Sequence, residues 1–340
     1  MKAREGDFIE TEAKLVFDVK GLVHPRDRII AFIRYFPDEK GKRKREGTSF
    51  DKVYSLQTRY DLLRARFPEY LVYDPVFDET LCEVPIDRVQ KHYKPIEKLQ
   101  EMRCRKLLDP LEAKALRLMR LLKENSGIEW DSLGVSGSIL LGLQTSKSDI
   151  DPVVYGSENC ARVHSCLSNM LKNNHNSVKP YMKNDLTALF DFRSKDTSVR
   201  FEDFVKTEKR KVMQGKFEGT DYFIRFVKDW NETYEKYGDV QYENMGYAKI
   251  EATVIDDSES IFTPCTYKVE NVKPIEGPDV KVMEIASFRG RFCEQAKKGE
   301  LIVATGKVER VTDRRNTKEH FRLIIGGKPS DYIVLKSRRN

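Results

Sequence analysis

Apolar residues crowd positions 14–20 and 29–35, on either side of the link from Gly21 to Pro25, which predicts two strands early in the chain. The pattern then stops. Between 37 and 47 the residues Lys40, Lys42, Arg43, Lys44 and Arg45 crowd a stretch that ends at Gly47, and this reads as a loop. Ser55 stands where a helix cap belongs, and Tyr60, Leu62, Leu63 and Phe67 carry a helix to about Arg66. A short strand at 70–73 follows. Residues 74–95 place Pro75, Pro85 and Pro95 among many charges and read as a connector.

Near residue 102 the period changes to that of a helix. Asp109 suits its cap and Pro110 its first position, with Leu111, Ala115, Leu118, Leu121 and Leu122 at helical spacing. A strand at 133–135, a glycine-containing turn, a strand at 149–155 and a helix at 159–171 come next. Helices at 183–192 and 201–213 lead to the turn Glu218-Gly219 and a strand at 222–227. From about Gly246 only strands are legible, at 248–255, 261–269, 301–311, 321–325 and 332–335. Short strands separated by turns predict a small β-barrel or sandwich. The expectation is an α+β chain in three parts: an N-terminal α+β domain with its connector (1–100), a core (101–240) and a β-barrel-like domain (241–340).

Composition narrows the class. The chain has 340 residues, 39% hydrophobic and 34% charged, enough for two or three domains with their own cores. No apolar run approaches the roughly 18 residues of a membrane span, and residues 1–7 lack a signal peptide's apolar stretch. Six cysteines, Cys82, Cys104, Cys160, Cys166, Cys265 and Cys293, form no Cys-x-x-Cys pair. They read as reduced thiols of a cytoplasmic protein without a membrane partner. The five histidines are dispersed without metal-ligand spacing. A net charge of +7, from 61 Lys and Arg against 54 Asp and Glu, is compatible with a nucleic-acid partner.

The chemistry concentrates in residues 134–156, GVSGSILLGLQTSKSDIDPVVYG. Side chains alternate along a strand, so Asp149 and Asp151 point one way and Ile150 the other. Paired carboxylates repel unless a cation lies between them. Mg²⁺ suits such a pair, since it takes one or two carboxylates and completes its shell with substrate phosphates. The Gly137-Ser138 step upstream can bring backbone N–H groups to a phosphate. A serine hydrolase is unsupported, because GVSGS lacks the Gly-x-Ser-x-Gly spacing.

Val135, Gly137, Ser138, Gly142, Asp149 and Asp151 together resemble the signature of the DNA polymerase beta-type nucleotidyltransferase superfamily. The pattern is an apolar strand, Gly-Ser, a spacer with a further glycine, and Asp-x-Asp. The resemblance covers about 25 residues directly. Pro152 departs from it, and the missing strand donor points to an edge or a bulge after Asp151. The long flanks resemble archaeal members of this superfamily, whereas the likeness to archaeal CCA-adding enzymes stops at the Gly-Ser and Asp-x-Asp core. The resemblance implies a polymerase beta-like nucleotidyltransferase core, with Mg²⁺ or Mn²⁺ held by Asp149, Asp151 and a third carboxylate on a later strand. Asp221, at the start of 222–227, is the first candidate and Glu251 the alternative. Gly137, Ser138 and Ser148 would bind the nucleotide, an NTP such as ATP.

Other residues stay open. Arg225 lies in an apolar strand, and a buried arginine needs a charge partner. A triphosphate, Asp149 or Asp151, or a structural ion pair would serve equally. Lys42, Arg43, Lys44 and Arg45 are either a solvated loop or a nucleic-acid contact. Arg289 and Arg291 alternate with Phe288 and Phe292, a pattern that suits stacked bases or a turn with Phe inward. The turn at 313–318 and the tail Lys336, Ser337, Arg338 and Arg339 add positive charge. The expected activity is transfer of an NMP from an NTP to a hydroxyl acceptor, RNA first, by two-metal chemistry with release of pyrophosphate. The alternatives are a non-catalytic binding module on the same core, and a regulatory transferase acting on a partner protein.

Overall fold

The computed structural model describes residues 1–336, so Ser337, Arg338 and Arg339 of the basic tail lie outside the described residues. The chain is mixed α+β and forms two compact units. The first joins Met1–Leu71, Cys82–Pro180 and Val212–Tyr234. The second joins Val72–Leu81, Tyr181–Lys211 and the chain from Glu235 on. The break expected near residue 100 falls inside the first unit, which unites the N-terminal strands with the Gly-Ser and Asp-x-Asp segment.

In the first unit a sheet runs in the order Arg43–Arg45, Thr48–Lys52, Arg28–Pro37, Val16–Val19, Phe8–Thr11, Val89–Tyr93. Ile9, Phe17, Ile29 and Ile33 from this sheet share a core with Leu63 of the helix Leu56–Arg66. Ser55 caps that helix by accepting the Thr58 N–H at 3.0 Å. Two expectations are corrected here. Residues 37–47 are not a loop, because Arg43–Arg45 pairs with Thr48–Lys52 in a hairpin. Its side chains alternate with strand period, Arg43 and Arg45 half-buried and Lys42 and Lys44 exposed. Residues 74–95 are not a connector either, since they contain the strands Glu79–Pro85 and Val89–Tyr93.

A second sheet places Pro152–Tyr155 between Leu133–Val135, antiparallel, and Arg225–Val227, parallel. The helix Pro110–Ser126 precedes it. Asp109 accepts from Leu111 and Glu112 N–H at 2.8 and 2.9 Å, and Asp109 N–H donates in turn to the Glu112 carboxylate at 3.2 Å. The helix Ser157–Lys172 follows, burying Cys160, Val163, Leu167 and Met170. Pro152 is neither on an edge nor in a bulge. It opens the central strand, a position proline tolerates. Asp149 and Asp151 therefore precede the strand, with Ile150 making one parallel bridge to Tyr222. The expected strand 222–227 is divided. Thr220–Phe223 forms a hairpin with Gln214–Phe217, and Arg225–Val227 joins the other sheet.

In the second unit the sheet closes on itself. Val240–Asp256 pairs with both Cys265–Glu276 and Leu301–Asp313. Val282–Ser287 links Cys265–Glu276 to Lys318–Ile324, which returns to Leu301–Asp313. Only the pair Val282–Ser287 and Lys318–Ile324 is parallel among these. The sheet is thus barrel-like, and Val282–Ser287 is a strand in it that the apolar pattern did not show. Helices Lys183–Arg193 and Phe201–Glu208 belong to this unit.

Candidate active site

Gly137 decides where the carboxylates stand. Its φ is +64°, and a Cβ there would collide with the Asp151 carboxylate. The turn is held from both sides. Ser136 N–H donates to the Asp151 carbonyl at 2.8 Å, and its Oγ donates to the Gly6 carbonyl at 2.6 Å. Ser138 is buried, and its hydroxyl has no hydrogen-bond partner. A buried hydroxyl without a partner costs free energy.

Ser148 does not face that opening as a free ligand. Its Oγ accepts the Thr145 N–H at 3.0 Å and lies 3.3 Å from Arg43 Nη1. It shapes the loop that delivers the acids. Arg43 Nη1 also donates to the Leu143 carbonyl at 2.5 Å. Arg45 holds Glu10 through two bonds of 2.6 and 2.7 Å and donates to the Leu141 carbonyl at 3.1 Å. Arg43 and Arg45 therefore fasten the 141–148 loop from the N-terminal hairpin, while Lys42 and Lys44 face solvent.

Asp151 is half-buried and Asp149 exposed. Burial first, and then the Asp149 charge, push the Asp151 carboxyl up to about 7, against the opposing pull of Arg225, Lys52 and Arg34. Such a carboxyl is short of positive charge. Lys52, on the rim of the same site, is pushed down to about 8 by burial and by Arg34, with Asp149 and Asp151 acting in the other direction. Arg34, Arg43 and Lys52 take part in no ion pair among the described residues; their polar partners are carbonyls and the Ser148 hydroxyl, with aromatic rings beside them. Tyr35 lies buried beneath, its phenol pushed up to about 12 by burial.

Arg225 finds its partners in the N-terminal segment. Its Nη1 lies 2.6 Å from Glu5 Oε1 and 3.4 Å from Asp18 Oδ1. Burial alone would lower its pKa, but Asp18, Glu5 and then Asp151 outweigh that and raise it. Burial would raise Asp18, but Lys20 and Arg225 hold it well below the usual carboxylate range. The structural ion pair is thus the reading that applies, with Asp151 as a further neighbour of the guanidinium.

The third carboxylate does not join the pair. The Ile150–Tyr222 bridge sets Asp221 beside Asp149 in register, and Ile150 N–H donates to the Asp221 carbonyl at 2.9 Å. The Asp221 side chain is exposed and lies 3.0 Å from Lys216 Nζ. Glu251 belongs to the barrel strand Val240–Asp256 of the second unit, where its carboxylate pairs with Lys336. Among the described residues no three His, Cys, Asp or Glu side chains gather to hold a metal ion. In the second unit Arg289 and Arg291 both bind Asp196, at 2.5 and 3.1 Å, with Phe292 buried beside them. That is the turn with Phe inward.

The comparisons with known proteins bear on kinship. The chain is 33% identical over 347 residues to the uncharacterized protein MJ1086 of Methanocaldococcus jannaschii, covering 99% of this chain and 100% of that one. The chain belongs to the family of this archaeal protein. No family model and no solved structure matches it. No helix among the described residues is long and apolar enough to cross a membrane.

The sequence missed Arg34, Lys52, Glu5 and Asp18. One signal was there to be used. Arg34 interrupts the apolar strand RIIAFIRYFP just as Arg225 interrupts its own, and a polar break in a buried strand asks for a partner.

Proposed function

We propose that the first unit is a metal-dependent nucleotidyltransferase that moves an NMP from an NTP to a hydroxyl acceptor. The observation that carries this reading is the pairing of unlike needs. Asp149 and Asp151 sit together short of a cation, and Arg34, Arg43 and Lys52 sit around them without a carboxylate of their own. An Mg²⁺-bound triphosphate supplies both deficits. The unpartnered Ser138 hydroxyl and the close backbone at Gly137 are further support.

Asp149 and Asp151 would hold the Mg²⁺ or Mn²⁺, and the phosphates would complete its shell. When bound, the ion supplies Lewis-acid stabilisation of charge on the phosphoryl oxygens. Arg34, Arg43 and Lys52 neutralise the phosphate tail, including the pyrophosphate that leaves as the acceptor oxygen bonds to the α-phosphorus. Ser138 donates to a phosphate oxygen. Arg225, fixed by Glu5 and Asp18, keeps Asp151 in place. Two clustered carboxylates rather than three fit one protein-held cation.

RNA remains the proposed acceptor. The barrel of the second unit has its first strand between the second and fourth, and its third parallel to its fifth. This is the order of the five-stranded barrels that bind oligonucleotides, a fold-level likeness. Lys42 and Lys44, exposed on the hairpin, are the basic residues of the first unit we assign to the acceptor.

The test is transfer of label from each of four α-³²P NTPs, with Mg²⁺ or Mn²⁺, to total RNA. The wild-type chain is expected to label RNA, and the Asp149→Ala/Asp151→Ala variant to leave it unlabelled. Mg²⁺-dependent NTP binding without transfer would favour the non-catalytic module, a reading the two-carboxylate cluster keeps in play.

A further inference from the structure

Tyr54 is a large aromatic residue, 49% exposed, in the short link between the strand Thr48–Lys52 and the helix Leu56–Arg66. Exposed aromatic rings at such links often serve the fold as one half of a hydrophobic staple, packing on the fourth helical residue. Here that residue is Arg59, which donates to the Tyr54 carbonyl at 3.4 Å. The surroundings of the ring are those of the site. Lys52 Nζ lies 5.1 Å from the Tyr54 ring centre and 5.8 Å from that of buried Tyr35. The Arg34 guanidinium lies 5.8 Å from the Tyr54 ring. These are the same two cations whose charges act on Asp151. The two cations beside the exposed ring are thus also neighbours of the carboxylate pair.

We propose that Tyr54 is the stacking platform for the base of the nucleoside triphosphate held at Asp149 and Asp151, an inference that rests on the function proposed above. A phosphate tail that reaches Arg34 and Lys52 brings its nucleoside end into the neighbourhood of this ring. Every base offers a π-face, so stacking on tyrosine tolerates all four bases and favours purines, which cover more of the ring. The site would therefore select nucleotides mainly by size of base.

The test is calorimetric titration of the full chain with Mg²⁺-ATP, Mg²⁺-CTP, Mg²⁺-tripolyphosphate and a short single-stranded RNA. Tripolyphosphate carries the phosphates without a base. In Tyr54→Ala the ATP affinity is expected to fall about tenfold, in line with the loss of one base–aromatic stack. The CTP affinity should fall less and the tripolyphosphate affinity stay as in wild type. Tyr54→Phe, which keeps the ring, should bind ATP as wild type does. Unchanged ATP affinity in Tyr54→Ala would overturn the inference. So would an equal loss of ATP and tripolyphosphate, which would mark Tyr54 as structural, or a loss confined to RNA, which would assign the ring to the acceptor. The proposed function fails separately: wild-type protein would then bind neither ATP nor tripolyphosphate, or Asp149→Ala/Asp151→Ala would bind both undiminished.

Discussion

At the scale of single residues, Gly137 and Gly219 separate backbone strain from site geometry. Both have positive φ, +64° and +79°. A side chain in this left-handed region costs roughly 1–2 kcal/mol at either position. The surroundings differ. Nothing lies within 4 Å of a Cβ at Gly219, whereas one at Gly137 would occupy the space of the Asp151 carboxylate. Gly219→Ala should therefore lose about 1 kcal/mol in urea unfolding and keep Mg²⁺-dependent ATP binding. Gly137→Ala should lose at least as much stability and the binding as well. Equal ATP affinity in the two variants would show that Asp151 can work away from the Gly-Ser turn.

At the scale of elements, the hairpin formed by Arg43–Arg45 and Thr48–Lys52 ties the N-terminal sheet to the 141–148 loop. Arg45 is central to it, since the Glu10 side chain it holds is only 7% exposed and has Tyr93 as its other partner. Removing one member of a buried pair leaves an uncompensated charge, at about 3 kcal/mol or more. Arg45→Met should show that loss in urea unfolding, while Lys44→Ala, on the solvent face, should stay within about 0.5 kcal/mol of wild type. A small effect of Arg45→Met would mean that Glu10 finds water or another donor. The same hairpin explains what the sequence hid. Hydrophobic periodicity registers a strand only when its inward residues are apolar, and here they are Arg43 and Arg45. The Gly-Ser and Asp-x-Asp signature was legible because turn and carboxylates adjoin along the chain. Arg34, Lys52, Glu5 and Asp18 reach the site only through sheet pairing, from about a hundred residues away or more. Pro152 misled for a local reason: a missing donor matters inside a strand and not at its first residue.

At the scale of the whole molecule, the chain order and the unit order differ. The first unit is interrupted after Pro180 and resumes at Val212. The excursion between belongs with the barrel by its bonds. Arg210 reaches Glu300 at 2.6 Å, Lys211 Nζ donates to the Arg291 carbonyl at 2.6 Å, and Ser198 N–H donates to the Pro329 carbonyl at 2.8 Å. Its own interior is aromatic, with Phe190 packed at 5.2 and 5.3 Å from Phe201 and Phe204. A chain cut after Tyr234 keeps this excursion without the barrel, so its apolar and charged partners are lost together. We expect that truncation to aggregate. The ends of the excursion are close, because Lys179 pairs directly with Lys216 across antiparallel strands. Val212 lies four residues beyond that pair, so a flexible glycine-serine linker of about six residues can replace 181–211. Phe77 stacks on Tyr242 of the barrel at 5.1 Å, so Phe77→Ser removes an apolar ring that the cut would bare. The chain ending at Tyr234 with both changes should elute as a monomer, unfold cooperatively and bind Mg²⁺-ATP with the affinity of the full chain. If the simple cut behaves equally well in gel filtration and unfolding, the helices Lys183–Arg193 and Phe201–Glu208 stand without the barrel, and the division into two units must be redrawn at residue 235.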